Sequence, residues 1–162
     1  MITLARVDFR LVHGQVMTKW LKISLASKIV IVDDVLSDEQ YMIDIYRMSA
    51  PSDVTIDIFK VSEVKEKLEL DEYKNSKVFL LFKDINSAKK TYDNGVEFPN
   101  LQIGGVPKSG EKKMIFKAVS LDKDDINNLS YLNDKGVDVT LQIIPEESKL
   151  TLDEAIKKYD SM

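Results

Sequence analysis

The chain has 162 residues, 44% of them hydrophobic and 31% charged, with a net charge of −4 at pH 7. That size suits one domain with a full apolar core, and an acidic balance with interspersed signs argues against a nucleic-acid binder or a lipid-surface binder. Cysteine is absent and histidine occurs once, which excludes disulfides, thiol catalysis and thiolate or His-rich metal sites.

In chain order, Met1-Ile2-Thr3-Leu4 enters a first strand over 2–7 rather than a signal peptide. No apolar segment approaches the ~20 residues that span a bilayer, so any link to a membrane runs through a partner. Helical spacing over 14–22 places Val16, Trp20 and Ile23 on one side. A strand at 28–32 precedes a helix over 38–49, which opens on an acidic pair and stops before Pro51. A strand at 54–59 is followed by a helix over 62–70, with Val64 and Leu68 inward. A strand at 77–82 leads to a helix over 86–94 that ends before Gly95. After a short strand at 101–103, the Gly- and Lys-rich stretch 104–116 reads as a surface loop. A helix over 122–135 opens with Asp122, turns Ile126, Leu129 and Leu132 inward and stops at Gly136. A strand at 137–143 and a helix over 151–159 close the chain, whose ends read as those of a stand-alone subunit.

Ile29 to Val32 and Val78 to Phe82 are apolar at successive positions. Such strands are covered on both faces. Strand and helix alternate almost throughout, which predicts an α/β fold: a three-layer α/β/α sandwich with a mainly parallel central sheet of about six strands, in one domain spanning 1–162. Trp20, Tyr41, Tyr46, Phe79 and Phe82 read as core or interface aromatics, and Met42 and Met48 as fillers of helix-packing gaps.

The chemistry concentrates around His13. It follows the first strand, and ligands of parallel α/β sheets bind outside the C-terminal strand ends. Gly14 lets the backbone approach an anion. The N–H groups of Gly14, Gln15 and Val16 would open a helix, where they form an anion site. Arg10 could fork onto phosphate oxygens. Phosphoryl transfer asks for little more than an in-line nucleophile and positive groups that hold spread charge. From residue types alone, a partly exposed turn histidine remains the alternative. A second constellation is Asp33-Asp34 after one apolar strand with Lys83 after another. It evokes a receiver-like signalling module phosphorylated on Asp33 or Asp34, but Phe59-Lys60 stands where that pattern needs its phosphoacceptor. Solvated loop acids, with Asp38 starting a helix, are the stronger reading. The pair Gly104-Gly105 marks a tight turn or anion nest and lacks the spacing of nucleotide-binding loops.

The segment from Asp8 to Val16, with Trp20 following, closely resembles the active-site segment of the IIB component of mannose/fructose/sorbose-type sugar phosphotransferase systems, which reads approximately R-[IV]-D-D-R-[LF]-[IV]-H-G-Q-[VI]. The similarity extends through Ile31-Val32-Asp33-Asp34 with Asp38, Ala50-Pro51, Gln102-Ile103-Gly104-Gly105-Val106, Lys117 to Leu121 with Asp125-Ile126, Gly136-Val137 and Gln142 to Pro145. The resemblance implies a phosphocarrier transferase. His13 accepts phosphate through Nδ1 from a phosphohistidine of the IIA component and passes it to a sugar carried by the membrane IIC and IID components. Arg10 assists, with Asp8, Gly104 and Gly105 supporting the site, and no metal or diffusible cofactor is needed. The implied location is the cytoplasm, peripherally against the transporter. The sugar is unspecified, sugar recognition residing largely in the membrane components, and a homodimer is left open. Two residues depart from the family pattern: Phe9 stands where a second Asp is usual, and Gln102 where Asn is usual. A third reading is a non-catalytic regulatory domain that has kept the fold.

Overall fold

The computed structural model describes residues 1–14 and 16–162, with the backbone alone at 16 and 17. In chain order it runs β1 (Ile2–Asp8), a π-helical turn (Val16–Trp20) continuing into α1 (Leu21–Ser24), β2 (Lys28–Val32), a 3₁₀ turn (Leu36–Asp38), α2 (Gln40–Met48) and β3 (Thr55–Phe59). There follow α3 (Val64–Leu68), α4 (Asp71–Lys74), β4 (Val78–Phe82), α5 (Ile85–Asp93), β5 (Asn100–Gly105), β6 (Lys113–Phe116) and β7 (Val119–Leu121). The chain closes with α6 (Lys123–Asp134), β8 (Asp138–Leu141), β9 (Leu150–Thr151) and α7 (Leu152–Asp160).

Among the described residues the central sheet has seven strands in the order β3-β2-β4-β1-β5-β8-β9. Six are parallel; the two-residue β9 pairs antiparallel with β8. The two adjacent strands with runs of consecutive apolar residues are covered on both faces: every residue of β4 is buried, as are Ile29, Val30, Ile31 and Val32 in β2. Each such side chain contributes about 1.5–3 kcal/mol of burial. One core face packs Leu21 of α1 and Ile43 of α2 against Ile29, Ile31, Phe79 and Leu81. The other packs α3 to α7 against Ala5, Val7, Val30, Leu80 and Phe82. The three-layer expectation holds.

Helix starts follow local chemistry. Asp84 caps α5 by accepting from the Ser87 N–H at 2.8 Å. Asp122 with Asp125, and Thr151 with Glu154, form reciprocal capping boxes for α6 and α7.

Several expectations are corrected. The stretch 104–116 is not one loop: Gly104 and Gly105 finish β5, Val106 bridges Val119, and 113–116 pair with β7 in a hairpin that buries Ile115. The helix expected over 62–70 is the shorter α3, Val64–Leu68, and a separate unpredicted helix, α4, follows it at Asp71–Lys74. Ile23 is exposed while Trp20 is buried. The opening turn is π-helical, and its extra residue per turn rotates the residues after it off the expected phase. On α2, Ile43 alone is buried, and the stripe Tyr41, Ile45 and Met48 faces outward. Tyr41 is therefore not core, and Met48 fills no packing gap.

Candidate functional site

The path out of β1 crosses one face of the sheet to β2, and the path out of β5 crosses the other face to β8. The two strands are neighbours, so their loops part and leave a crevice at the C-terminal edge between them. His13 stands there. Ala5 and Val7 of β1 belong to one core face. Strand alternation therefore points Arg6 and Asp8 to the other, beneath the loop that carries His13.

A short turn aims the loop. The Leu11 N–H bonds the Asp8 carbonyl at 2.9 Å, and Leu11 adopts φ 55° with its side chain buried. That left-handed backbone costs a non-glycine residue about 1–2 kcal/mol, offset here by burial of the side chain. Phe9 donates its N–H to the Gly105 carbonyl at 3.1 Å, which fastens the loop to β5.

Asp8 is the hub. Its side chain is fully buried and five donors converge on it. Oδ1 accepts from the Arg10 backbone N–H at 3.1 Å and from Arg10 Nε at 3.0 Å. Oδ2 accepts from Arg10 Nη2 at 3.1 Å and Arg6 Nη2 at 3.3 Å, and lies 3.0 Å from His13 Nε2. Burial alone would raise the Asp8 pKa. The hydrogen bonds from Arg10 and His13 and the charge of Arg6 outweigh it and hold the carboxyl below its ordinary range. An anionic carboxylate only accepts, so Nε2 of His13 carries a proton, and in the neutral ring Nδ1 keeps its lone pair. His13 is 20% exposed and Arg10 36% exposed. A Cβ at Gly14, the next residue, would meet nothing within 4 Å.

Of the residues predicted for the site, Arg10 and His13 each contact Asp8 directly. Gly105 adjoins Asp8, since a Cβ there would come within 2.7 Å of Oδ1, whereas Gly104 lies against Arg6. Val16 begins the helical turn, whereas Gln15 lies outside the described residues. The departure at Phe9 leaves its backbone bond intact and sets its ring beside Arg10, with Cζ 5.6 Å from the centroid. The departure at Gln102 puts an amide oxygen on Arg6 Nη1.

Sequence reasoning missed Arg6 as a site residue. Among the described residues it is the largest fully buried side chain. A signal existed: an arginine inside an otherwise apolar strand, two residues before an aspartate, has that aspartate as its neighbour on the same face.

The acidic pair lies elsewhere. Asp33 and Asp34 follow β2, two strands from β1. Asp34 is exposed and accepts from the Val61 N–H at 2.8 Å. Asp33 is not a solvated loop acid, being only 7% exposed. Burial raises its pKa, against hydrogen bonds from the Val35 and Leu36 backbone and the charge of Lys83. Asp38 ends a 3₁₀ turn and pairs with Lys60 at 3.1 Å instead of starting α2.

Residues 2–162 match the family model described as "PTS system sorbose subfamily IIB component". The chain belongs to this family. Its fold overlays the crystal structure of manxB from Thermoanaerobacter tengcongensis with a TM-score of 0.90 at 41% identity, covering 98% of this chain and 96% of that one. The IIBSor domain of the sorbose permease from Klebsiella pneumoniae gives the same TM-score at 30% identity, covering 98% and 97%. The mannose-specific EIIAB component of Escherichia coli (strain K12) is 30% identical over 159 residues, which is 98% of this chain and 49% of that protein. The chain is thus a IIB component of a sugar phosphotransferase system, a transferase class, and the receiver-like reading of Asp33-Asp34 falls away. No helix among the described residues is long and apolar enough to cross a membrane.

Proposed function

We propose that His13 is the phosphoryl acceptor of this IIB component and that Nδ1 is the attacking atom. The observation that carries the reading is the contact between His13 Nε2 and the buried, anionic Asp8 at 3.0 Å, which occupies one ring nitrogen and leaves the other for chemistry. In the transfer, the Nδ1 lone pair forms the new N–P bond while the donor's N–P bond breaks, and the donor histidine leaves with that electron pair. Positive charge developing on the His13 ring is met by Asp8 through Nε2–H. Arg10, partly exposed and bonded to the same carboxylate, meets the phosphoryl oxygens, helped by backbone N–H groups opening the turn from Gly14.

The donor is a phosphohistidine of a IIA component, a reading supported by the EIIAB fusion of the Escherichia coli relative. The acceptor is a sugar carried by membrane IIC and IID components, which places the chain in the cytoplasm against its transporter. In a phosphoenolpyruvate-driven relay the wild type takes up label and His13→Ala does not; equal labelling of the two would refute the assignment. Arg10→Ala slows onward transfer to sugar more than labelling, and normal sugar phosphorylation by that variant would remove its role.

A further inference from the structure

Arg6 lies under this site and the transfer step above makes no use of it. Its side chain is fully buried, and its guanidinium fans out to four groups: Gln102 Oε1, the Gln142 carbonyl at 2.9 Å, the Ile143 carbonyl at 3.0 Å and Asp8 Oδ2 at 3.3 Å. Trp20 covers it, with Cζ 5.1 Å from the ring centroid, and Trp20 Nε1 donates to the same Ile143 carbonyl at 3.0 Å. The backbone is shaped around it. Between β1 and β5 the register slips, so that Val7 pairs with Ile103 and Asp8 with Gly105. The residue left over is Gly104, and a Cβ there would stand 2.1 Å from Arg6 Cζ.

A buried cation is costly to desolvate, and it persists where geometry and hydrogen bonds compensate it. Three of its contacts are to neutral acceptors that fix its plane. The fourth is to Asp8, the one group that also touches His13. We infer that Arg6 is a positioning residue: clamped by β5 and the segment after β8, its guanidinium holds the Asp8 carboxylate on Nε2 of His13 and so reserves Nδ1 for the phosphoryl group. The inference rests on His13 being the acceptor. The charged or titratable groups facing Asp8 are Arg6, Arg10 and His13, all on β1 or its loop; β5 presents Gln102 and Gly105, and the 142–143 segment meets Arg6 through carbonyls.

Three full-length variants test it: Arg6→Met, Arg6→Lys and Gly104→Ala, with folding followed by circular dichroism and the fluorescence of the sole tryptophan, Trp20. In unphosphorylated protein, NMR titrations of the Asp8 carboxyl and the His13 ring are recorded; labelling by phosphorylated donor is then measured against pH. Arg6→Met moves the Asp8 titration and the acid limb of labelling upward by about one pH unit or more, and slows labelling about tenfold. Arg6→Lys restores the acid limb, because the charge remains, but not the rate, because one ammonium cannot meet all four acceptors. Gly104→Ala, which displaces the guanidinium with no change of charge, weakens the His13 Nε2–H hydrogen-bond signal. Should Arg6→Met not fold, the other two carry the test. Folded variants with wild-type titrations and a wild-type pH profile would overturn the inference. A wrong acceptor assignment looks different: His13→Ala is labelled normally while Asp8 still responds to Arg6.

Discussion

Gly104 and Arg6 claim one volume: a Cβ on Gly104 would lie 1.9 Å from Nη2 of Arg6. The bulge in β5 exists so that a guanidinium can lie flat beneath the His13 loop, and any side chain at 104 evicts it. Gly104→Ala therefore lowers stability by about 1–3 kcal/mol, the scale of an overpacked core, measured by urea denaturation. An unchanged midpoint would mean that the guanidinium moves aside without loss.

Asp8→Asn removes the anion on which two arginines and His13 converge. Breaking a buried ion pair from one side costs about 3–5 kcal/mol at pH 7, and losing a positioned acid–base partner slows labelling about 100-fold. The sign with pH follows from the lowered Asp8 pKa. The native state binds this proton less readily than the unfolded chain, so the stabilisation is complete above the ordinary aspartate value of 3.8 and is lost as pH falls through the lower folded value. Denaturation curves of wild type and Asp8→Asn consequently converge in acid, and a gap that widened there would contradict the assigned ion pairs.

Asp33 behaves in the opposite sense. Its pKa is raised, and its Oδ2 has no hydrogen-bond partner among the described residues. Ionised Asp33 costs the native state at neutral pH, and the cost disappears as pH falls toward 3.8. Asp33→Asn is expected to stabilise by roughly 1 kcal/mol at pH 7, to lose that advantage in acid, and to be labelled at the wild-type rate. Loss of labelling in this variant would reopen a phosphoryl role for the acidic pair.

Asp122→Ala separates stability from chemistry. It removes the capping box of α6, formed with Asp125, and an ion pair to Lys112 at 3.4 Å. The expected cost is about 1 kcal/mol, seen as a lower thermal midpoint with unaltered labelling. Slower labelling in the folded variant would tie this end of the fold to the site.

What could be read from the chain follows from which physics is local. β2 and β4 announce themselves because every residue is apolar, and α6 because Asp122 caps it and Gly136 follows its last turn. His13, Arg10 and Asp8 sit within six residues, so their proximity was legible too. The β6–β7 hairpin was not: its strands are four and three residues long, too short to show an alternation of their own, and pairing with each other decides them. Arg6 escaped notice because its meaning is tertiary. Its partners, Gln102, Gln142 and Ile143, come from segments some hundred residues away that only the sheet order brings together. The phase of Ile23 was lost to a π-helical turn, which hydrophobic spacing does not encode.

The account stands or falls on which atom receives the phosphoryl group. Phosphorylated protein carrying ¹⁵N-labelled histidine, examined by ³¹P and ¹⁵N NMR, reads this directly, since His13 is the only histidine. The predicted result is a phosphoramidate on Nδ1, labile in acid and stable in base, with Nε2 still protonated against Asp8. A phosphoryl group on Nε2, or a base-labile acyl phosphate with the imidazole unmodified, would contradict it.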